Sequence, residues 1–188
     1  GAAIIRRRRS AFEYSLDRSV MSRNQFLSIL DRTLPRPDAA PFDAWPSTAR
    51  VSLALFVHNV SGLEQGLYAF LRAEGHEDEL RGAFSDEFNW ERVVDEFPLY
   101  LLQAGDLRGR AAALSCNQQI AGFSAFSAGM IARFEPEIAA APWAYPELFQ
   151  ETGMVGQALY LEAEAQGFRG TGIGCYFDDP VHELLGIA

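Results

Sequence analysis

The sequence predicts a single unit that mixes α-helices with β-strands, and three observations carry that expectation. Val51-Ser-Leu-Ala-Leu-Phe-Val-His58 is short, β-rich and apolar at nearly every position, the pattern of a strand buried on both faces. Leu67 to Leu71 follows after turn residues at Ser61-Gly62 and Gly66, so the two runs read as a hairpin with a long loop. Helical patterns over about 22–34, 108–121 and 151–165 supply the elements that would cover such strands. At 188 residues, the chain is long enough for one domain with a real core and too short for two large ones, so 1–188 is read as one domain.

In chain order, Ala2 to Ile5 is a short apolar start that leads into Arg6-Arg7-Arg8-Arg9-Ser10 and then an extended segment. Ser22 with Gln25 three residues later is a capping-box pattern, and Phe26, Ile29, Leu30 and Thr33 continue at helical spacing until Pro35 and Pro37 stop the helix. Prolines mark 35–50 as loop. After the hairpin, His76 to Leu80 is polar and starts a surface helix or turn, and Pro98 to Gln103 is a third strand candidate. Residues 108–121 suit one helix with Ala111, Ala112, Leu114 and Ile120 on its buried face. Ala125 to Phe134 fits strand or helix equally, and Pro136, Pro142 and Pro146 mark an irregular region. Glu151 to Ala165 is helical although Gly153 and Gly156 cost about 1 kcal/mol each relative to alanine, which points to close approach of another helix or a ligand. Gly167 ends that helix. Gly170-Thr-Gly-Ile-Gly174-Cys-Tyr-Phe177 reads as a glycine-rich entry into a strand, closed by Asp178-Asp179-Pro180 and a short helix at Val181 to Leu185.

Composition removes several function classes. Hydrophobic residues make up 48% and charged residues 22%, ordinary for a globular protein. The net charge of −9 argues against a nucleic-acid binder. All 16 basic residues are arginine, so no mechanism that needs a lysine amine is available. No apolar run reaches the roughly 18 residues that span a bilayer, and no signal-peptide core precedes the first arginine. Cys116 and Cys175 lie far apart and outside any CxxC pair. They read as unpaired, buried small hydrophobes suited to a reducing cytoplasm. His58, His76 and His182 never reach metal-ligand spacing, so no metal site is expected.

Two motifs carry chemistry. Arg6 to Arg9 with Ser10 is the one basic cluster in an acidic chain. Guanidinium forks beside a hydroxyl suit a phosphate monoester, and a solvated basic arm is the alternative. Gly170-x-Gly172-x-Gly174 has the glycine spacing of a dinucleotide fingerprint but follows a helix, which is the reverse of the required strand–turn–helix order. Its glycines would let a planar ligand lie against exposed N–H groups, or they would simply make a tight turn. No Ser-His-Asp order or nucleophile elbow is present, and the acidic pair Asp178-Asp179 reads as a capped turn rather than a metal site.

Taken together, three stretches resemble the FMN-dependent nitroreductase superfamily, and more closely its SagB-like branch of bacterial dehydrogenases. They are Arg8-Arg9-Ser10 after the apolar start, Leu55 to Tyr68, and Glu151 to Gly167 continued by Thr171 to Gly186. Cys116 to Ala121 with Ser124 to Ser127 adds weaker support. The resemblance implies an α+β fold, a mainly antiparallel mixed sheet flanked by helices, in an intertwined homodimer with FMN at the interface. It implies that Arg8 and Ser10 take the FMN phosphate with Arg9 close by, that the backbone of Gly172, Ile173, Gly174 and Cys175 faces the isoalloxazine and donates toward N5, and that Pro46-Ser47 lies beside the flavin. It places Gly153, Gly156 and Gln157 on a helix near the dimer core. No side chain is then expected to be catalytic, because the flavin carries hydride between NAD(P)H and a small acceptor, or dehydrogenates a small substrate.

The chain departs from that pattern in three ways. Phe12 stands where the family motif continues with a further arginine. Relatives continue past the Leu-Leu-Gly segment with another strand, often exchanged with the partner subunit, whereas this sequence stops at Ala188; a single unit lacking its last strand, or one unit of a tandem protein, is therefore expected. The Lys/Tyr pair of branch members that oxidise peptide azolines has no counterpart without lysine. The alternative reading is a flavin-free structural or interaction subunit that keeps the fold.

Overall fold

A computed structural model describes residues 1–45, 48–73 and 75–187. The order of elements is α1 (Ala2–Arg7), β1 (Met21–Ser22), α2 (Arg23–Asp31), β2 (Val51–Val57), β3 (Val60–Ser61), β4 (Gly66–Phe70), α3 (His76–Ala83), β5 (Glu91–Arg92), β6 (Leu99–Ala104), α4 (Arg108–Leu114), α5 (Gln119–Phe123), β7 (Phe126–Ala132), α6 (Glu135–Ala140), α7 (Ala144–Ala165) and α8 (Asp178–Leu185), with a 3-10 turn at Phe42–Ala44. Five strands form one sheet in the order β5-β6-β4-β2-β7, and each neighbouring pair is antiparallel. A separate two-residue pairing of β1 with β3 is parallel, Met21 opposite Val60.

The apolar run of β2 takes a central place because both of its faces are covered. Leu53, Leu55 and Val57, with Tyr68, Phe70, Leu99 and Leu101, pack against Phe26, Ile29 and Leu30 of α2 and Val155 and Ala158 of α7. Ala54 and Phe56, with Leu67, Ala69, Tyr100 and Leu102, pack on the opposite side against Phe84, Trp90, Ala111, Leu114 and Leu185. Two-residue alternation along each strand thus feeds two cores, one per face. The capping box at α2 is complete: the Ser22 hydroxyl accepts from the Gln25 N–H, and the Gln25 side chain accepts from the Ser22 N–H.

A buried ion pair ties α7 to the sheet. The Arg72 and Glu151 side chains, 0% and 2% exposed, meet at 2.5 Å. Glu151 also accepts the backbone N–H groups of Arg50 and Val51, where β2 begins, and Arg72 donates to the Thr33 and Val51 carbonyls. Each buried charge is therefore met by several hydrogen bonds, the condition under which such a pair is tolerated.

Four sequence expectations change. The helix expected over 108–121 breaks into α4 and α5, because Cys116 and Asn117 take left-handed backbone angles, φ 53° and 59°. The long helix starts at Ala144, before Pro146, since a proline in the first turn forfeits no intrahelical hydrogen bond. Residues 168–177 form no strand; the N–H groups of Phe168, Gly172 and Phe177 meet isolated partners instead of a ladder, Phe177 donating to the Leu114 carbonyl at 2.9 Å. Cys116 and Cys175 are neither unpaired nor buried: they form a disulfide with Cα atoms 5.8 Å apart, with Cys175 exposed. The argument from free thiols to a reducing compartment falls with that pairing.

Candidate functional site

The end of α7 delivers the glycine-rich run to a defined place. Gly167 sits at φ 85°, its N–H donates to the Glu164 carbonyl at 3.3 Å, and the Phe168 N–H donates to the Ala163 carbonyl at 2.8 Å. This paired closure reverses the chain at the helix terminus, and Phe168 seals it by packing on the first core. Residues 169–172 then run back beside α7, where the N-terminal segment meets them.

At the other end of the chain, α1 stops where Arg8 leaves helical angles, at φ −51° and ψ 129°. The extended segment that follows is fastened to the glycine run by Ala11, whose N–H donates to the Gly170 carbonyl at 3.0 Å, and by Tyr14, whose hydroxyl donates to the Arg169 carbonyl at 2.9 Å. Burial, with a smaller contribution from neighbouring Tyr160, pushes the Tyr14 hydroxyl up to about 12, so it stays a donor.

Both segments converge on Tyr160 of α7. Its hydroxyl lies 3.2 Å from the Ser10 Oγ and accepts the backbone N–H of Gly172. The Arg8 guanidinium stacks 4.9 Å from the centre of the same ring. Arg7 is drawn away to Glu164, at 2.8 Å from Nε, and Arg9 folds its guanidinium onto the Arg6 and Arg8 carbonyls at 3.0 and 2.8 Å. Arg8 has no carboxylate partner among the described residues. The result is a surface group of anion donors: a guanidinium and two hydroxyls.

The glycines beyond this point have no reason within the chain. Gly170, Gly172 and Gly174 all avoid the left-handed region, so no turn demands them. A Cβ on Gly170 or Gly172 would make ordinary contacts with Tyr160, at 3.5 and 3.6 Å, and one on Gly174 would meet nothing within 4 Å. The N–H groups of Ile173, Gly174 and Cys175 donate to nothing among the described residues. Ile173 packs its side chain on the second core, Gly174 and Cys175 are exposed, and Gln118 Nε2 reaches the Cys175 carbonyl at 3.5 Å. The disulfide pins the far end of this open run to the corner between α4 and α5.

Of the residues expected to form the site, Arg8, Ser10 and Gly172 are brought together, Arg9 flanks them, and Ile173, Gly174 and Cys175 continue from them along the surface. Ser47 lies outside the described residues. Tyr160 was missed from sequence, although it shares the helical face of Gly153 and Gly156, at intervals of seven and four residues. Among the described residues, no group of three His, Cys, Asp or Glu side chains is placed to hold a metal ion, and no helix is long and apolar enough to cross a membrane.

An antiparallel five-stranded sheet with α2 and α7 on one face and α3, α4, α5 and α8 on the other is a nitroreductase-like α+β fold. The same fold is seen in a crystal structure from Anabaena variabilis ATCC 29413 described as a "putative nitroreductase", with a TM-score of 0.73 and 21% identity. The match covers 99% of this chain and 34% of that one, so the chain spans about a third of the length of that structure. No protein-family model matches the chain, and no curated protein sequence matches it.

Proposed function

We propose that the chain is an FMN-dependent oxidoreductase of the nitroreductase superfamily, SagB-like branch, that works as a homodimer. The observation that carries the reading is the meeting of Arg8 and Ser10 with Gly172 on one tyrosine. That meeting supports the reading because groups able to donate to an anion lie at one end of an exposed backbone run whose N–H groups, at Ile173 to Cys175, have no acceptor among the described residues. These residues fit FMN at both ends. The donor set around Ser10 suits a phosphate dianion, and the open N–H groups of Ile173 to Cys175 suit the polar edge of a flavin ring.

Bound FMN supplies hydride transfer between NAD(P)H and a small acceptor. The chain's own part is to bind and orient. Arg8 and Ser10 hold the phosphate, with Arg9 adding charge from the flank. The glycine run lets the ring approach the backbone more closely than side chains would allow, and its N–H groups favour electron density on the ring's polar edge. No nucleophilic side chain is required, and the bonded state of Cys175 agrees with that. The face of α7 around Gly153, where an added Cβ would meet nothing within 4 Å among the described residues, supports a second subunit closing the site.

The absorbance spectrum of the purified protein, before and after soaking with FMN, tests the reading. Flavin bands that stay with the protein through gel filtration are expected, and Arg8→Ala with Ser10→Ala is expected to weaken FMN binding by about 10- to 100-fold, since charge-assisted hydrogen bonds are worth roughly 1.5–3 kcal/mol. A colourless protein that ignores FMN overturns it in favour of a flavin-free structural subunit. Phe12 favours that second reading: it is 99% exposed at a position where the family motif has an arginine.

A further inference from the structure

We infer that Tyr160 is the positioning residue of this site and the one that sets its preference for a phosphorylated flavin; this inference rests on the FMN reading above. Tyr160 belongs to neither half of the site and hydrogen-bonds to both. Its hydroxyl meets the Ser10 Oγ and the Gly172 N–H, its ring carries the Arg8 guanidinium, and the same ring flanks Gly170 at ordinary contact distance. The two halves are irregular segments from opposite ends of the chain, whereas Tyr160 stands on the longest helix, 22 residues that are themselves fixed by the buried Glu151. A rigid element thus orients two segments that have no regular structure of their own, which is the arrangement that holds a binding site to tight geometry.

The hydroxyl has one proton and two lone pairs. Accepting from the Gly172 N–H occupies one lone pair and leaves the proton for the Ser10 oxygen or for an oxygen of the ligand. A phosphate brings only acceptors, so it can take the tyrosine proton, the serine proton and the Arg8 fork together. Riboflavin, which ends in a neutral hydroxyl, offers little to that donor set. The hydroxyl of Tyr160 therefore acts on the phosphate end of the ligand, and its ring acts on Arg8.

The test compares FMN with riboflavin, each titrated by quenching of flavin fluorescence, on the full chain and on Tyr160→Phe. The phenylalanine keeps the ring under Arg8 and beside Gly170 and removes the oxygen alone. FMN affinity is expected to fall about 10- to 100-fold, in line with the loss of one hydrogen bond to a charged group, while riboflavin affinity moves less than twofold. The double variant Ser10→Ala/Tyr160→Phe is expected to lose little more than the worse single variant, because the two hydroxyls act as one unit. Equal loss for both ligands, or unchanged FMN affinity in Tyr160→Phe, overturns the inference and leaves the FMN reading standing. A wild-type chain that binds neither ligand overturns the FMN reading itself. Circular dichroism of each variant separates lost binding from lost fold, and if Tyr160→Phe does not fold, the same FMN-to-riboflavin ratio is read on Ser10→Ala, which removes the hydroxyl paired with Tyr160; an unchanged ratio there overturns the inference.

Discussion

His58 shows how one side chain couples this fold to pH. It closes β2, is 1% exposed, and its Nε2 lies 3.1 Å from the Ala121 carbonyl, so Nε2 carries the proton and Nδ1 is left without a partner. Burial pushes the imidazole down from 6.5 to about 4, with the Ala121 carbonyl opposing that change and the Arg108 charge adding to it. In the unfolded chain the ring takes its proton near 6.5, whereas in the folded chain it resists until about 4. The unfolded state therefore binds more protons in that window. Stability is full above the upper value and falls as pH drops toward the lower one. The loss comes to roughly 3 kcal/mol, since each tenfold difference in proton affinity between the folded and unfolded chain is worth about 1.4 kcal/mol. Urea unfolding between pH 7 and 4 is expected to show this loss, and His58→Gln is expected to flatten it. The carboxylates of Glu77, held below the usual range by Tyr100, and Asp31, held down by Arg36, respond at lower pH and leave the His58 window distinct. An equally steep decline in His58→Gln would place the effect elsewhere.

At the scale of elements, what could be read from sequence follows the range of the cause. β2, β4 and β6 are visible because short apolar runs and their turn residues lie within a few positions of one another. The α2 start was visible because a capping box is local. The α4–α5 break was not: it rests on left-handed angles at Cys116 and Asn117 and on a disulfide to a residue 59 positions away, and helical periodicity carries no trace of either. The same holds for the site. Arg8 and Ser10 were legible as anion donors, but Tyr160 was not, because its partners come from both ends of the chain. The disulfide also stabilises these elements. It closes a loop of about 60 residues, which in a chain-entropy account contributes about 4 kcal/mol as a ceiling. Cys116→Ser/Cys175→Ser is expected to lose about 2–4 kcal/mol in chemical denaturation, and dithiothreitol is expected to lower the wild type by a similar amount while leaving the double variant unchanged. Equal stability of the two proteins under oxidising conditions would show that the link contributes nothing to the fold.

At the scale of the whole molecule, one group of exposed aromatic side chains has no cover among the described residues. Trp143, Tyr145 and Phe149, at the start of α7, are 68%, 50% and 62% exposed, and Phe134, at the start of α6, is 50% exposed. Beside them, Gly153 would accept a Cβ with nothing within 4 Å, and β7 is an edge strand with Met130 37% exposed. Aromatic clusters of this kind on one side of a molecule mark an interface. Helix interiors also accept exposed glycine chiefly where another backbone comes close. The proposed homodimer would bury this face, and because α7 carries both Gly153 and Tyr160, closure of the dimer and shaping of the flavin site would share one helix. Phe149→Glu tests the link. Phe149 stacks edge-on with Tyr145 at 5.0 Å and is largely open to solvent, so the substitution should leave the melting temperature of the isolated fold nearly unchanged. In the interface the same change would bury a carboxylate without a partner, at a cost of several kcal/mol to association. Sedimentation equilibrium at micromolar concentration is expected to find a wild-type dimer and a Phe149→Glu monomer, with FMN retention lost in step with the dimer. A wild-type monomer that still holds FMN would detach cofactor binding from assembly and leave the aromatic face to some other contact.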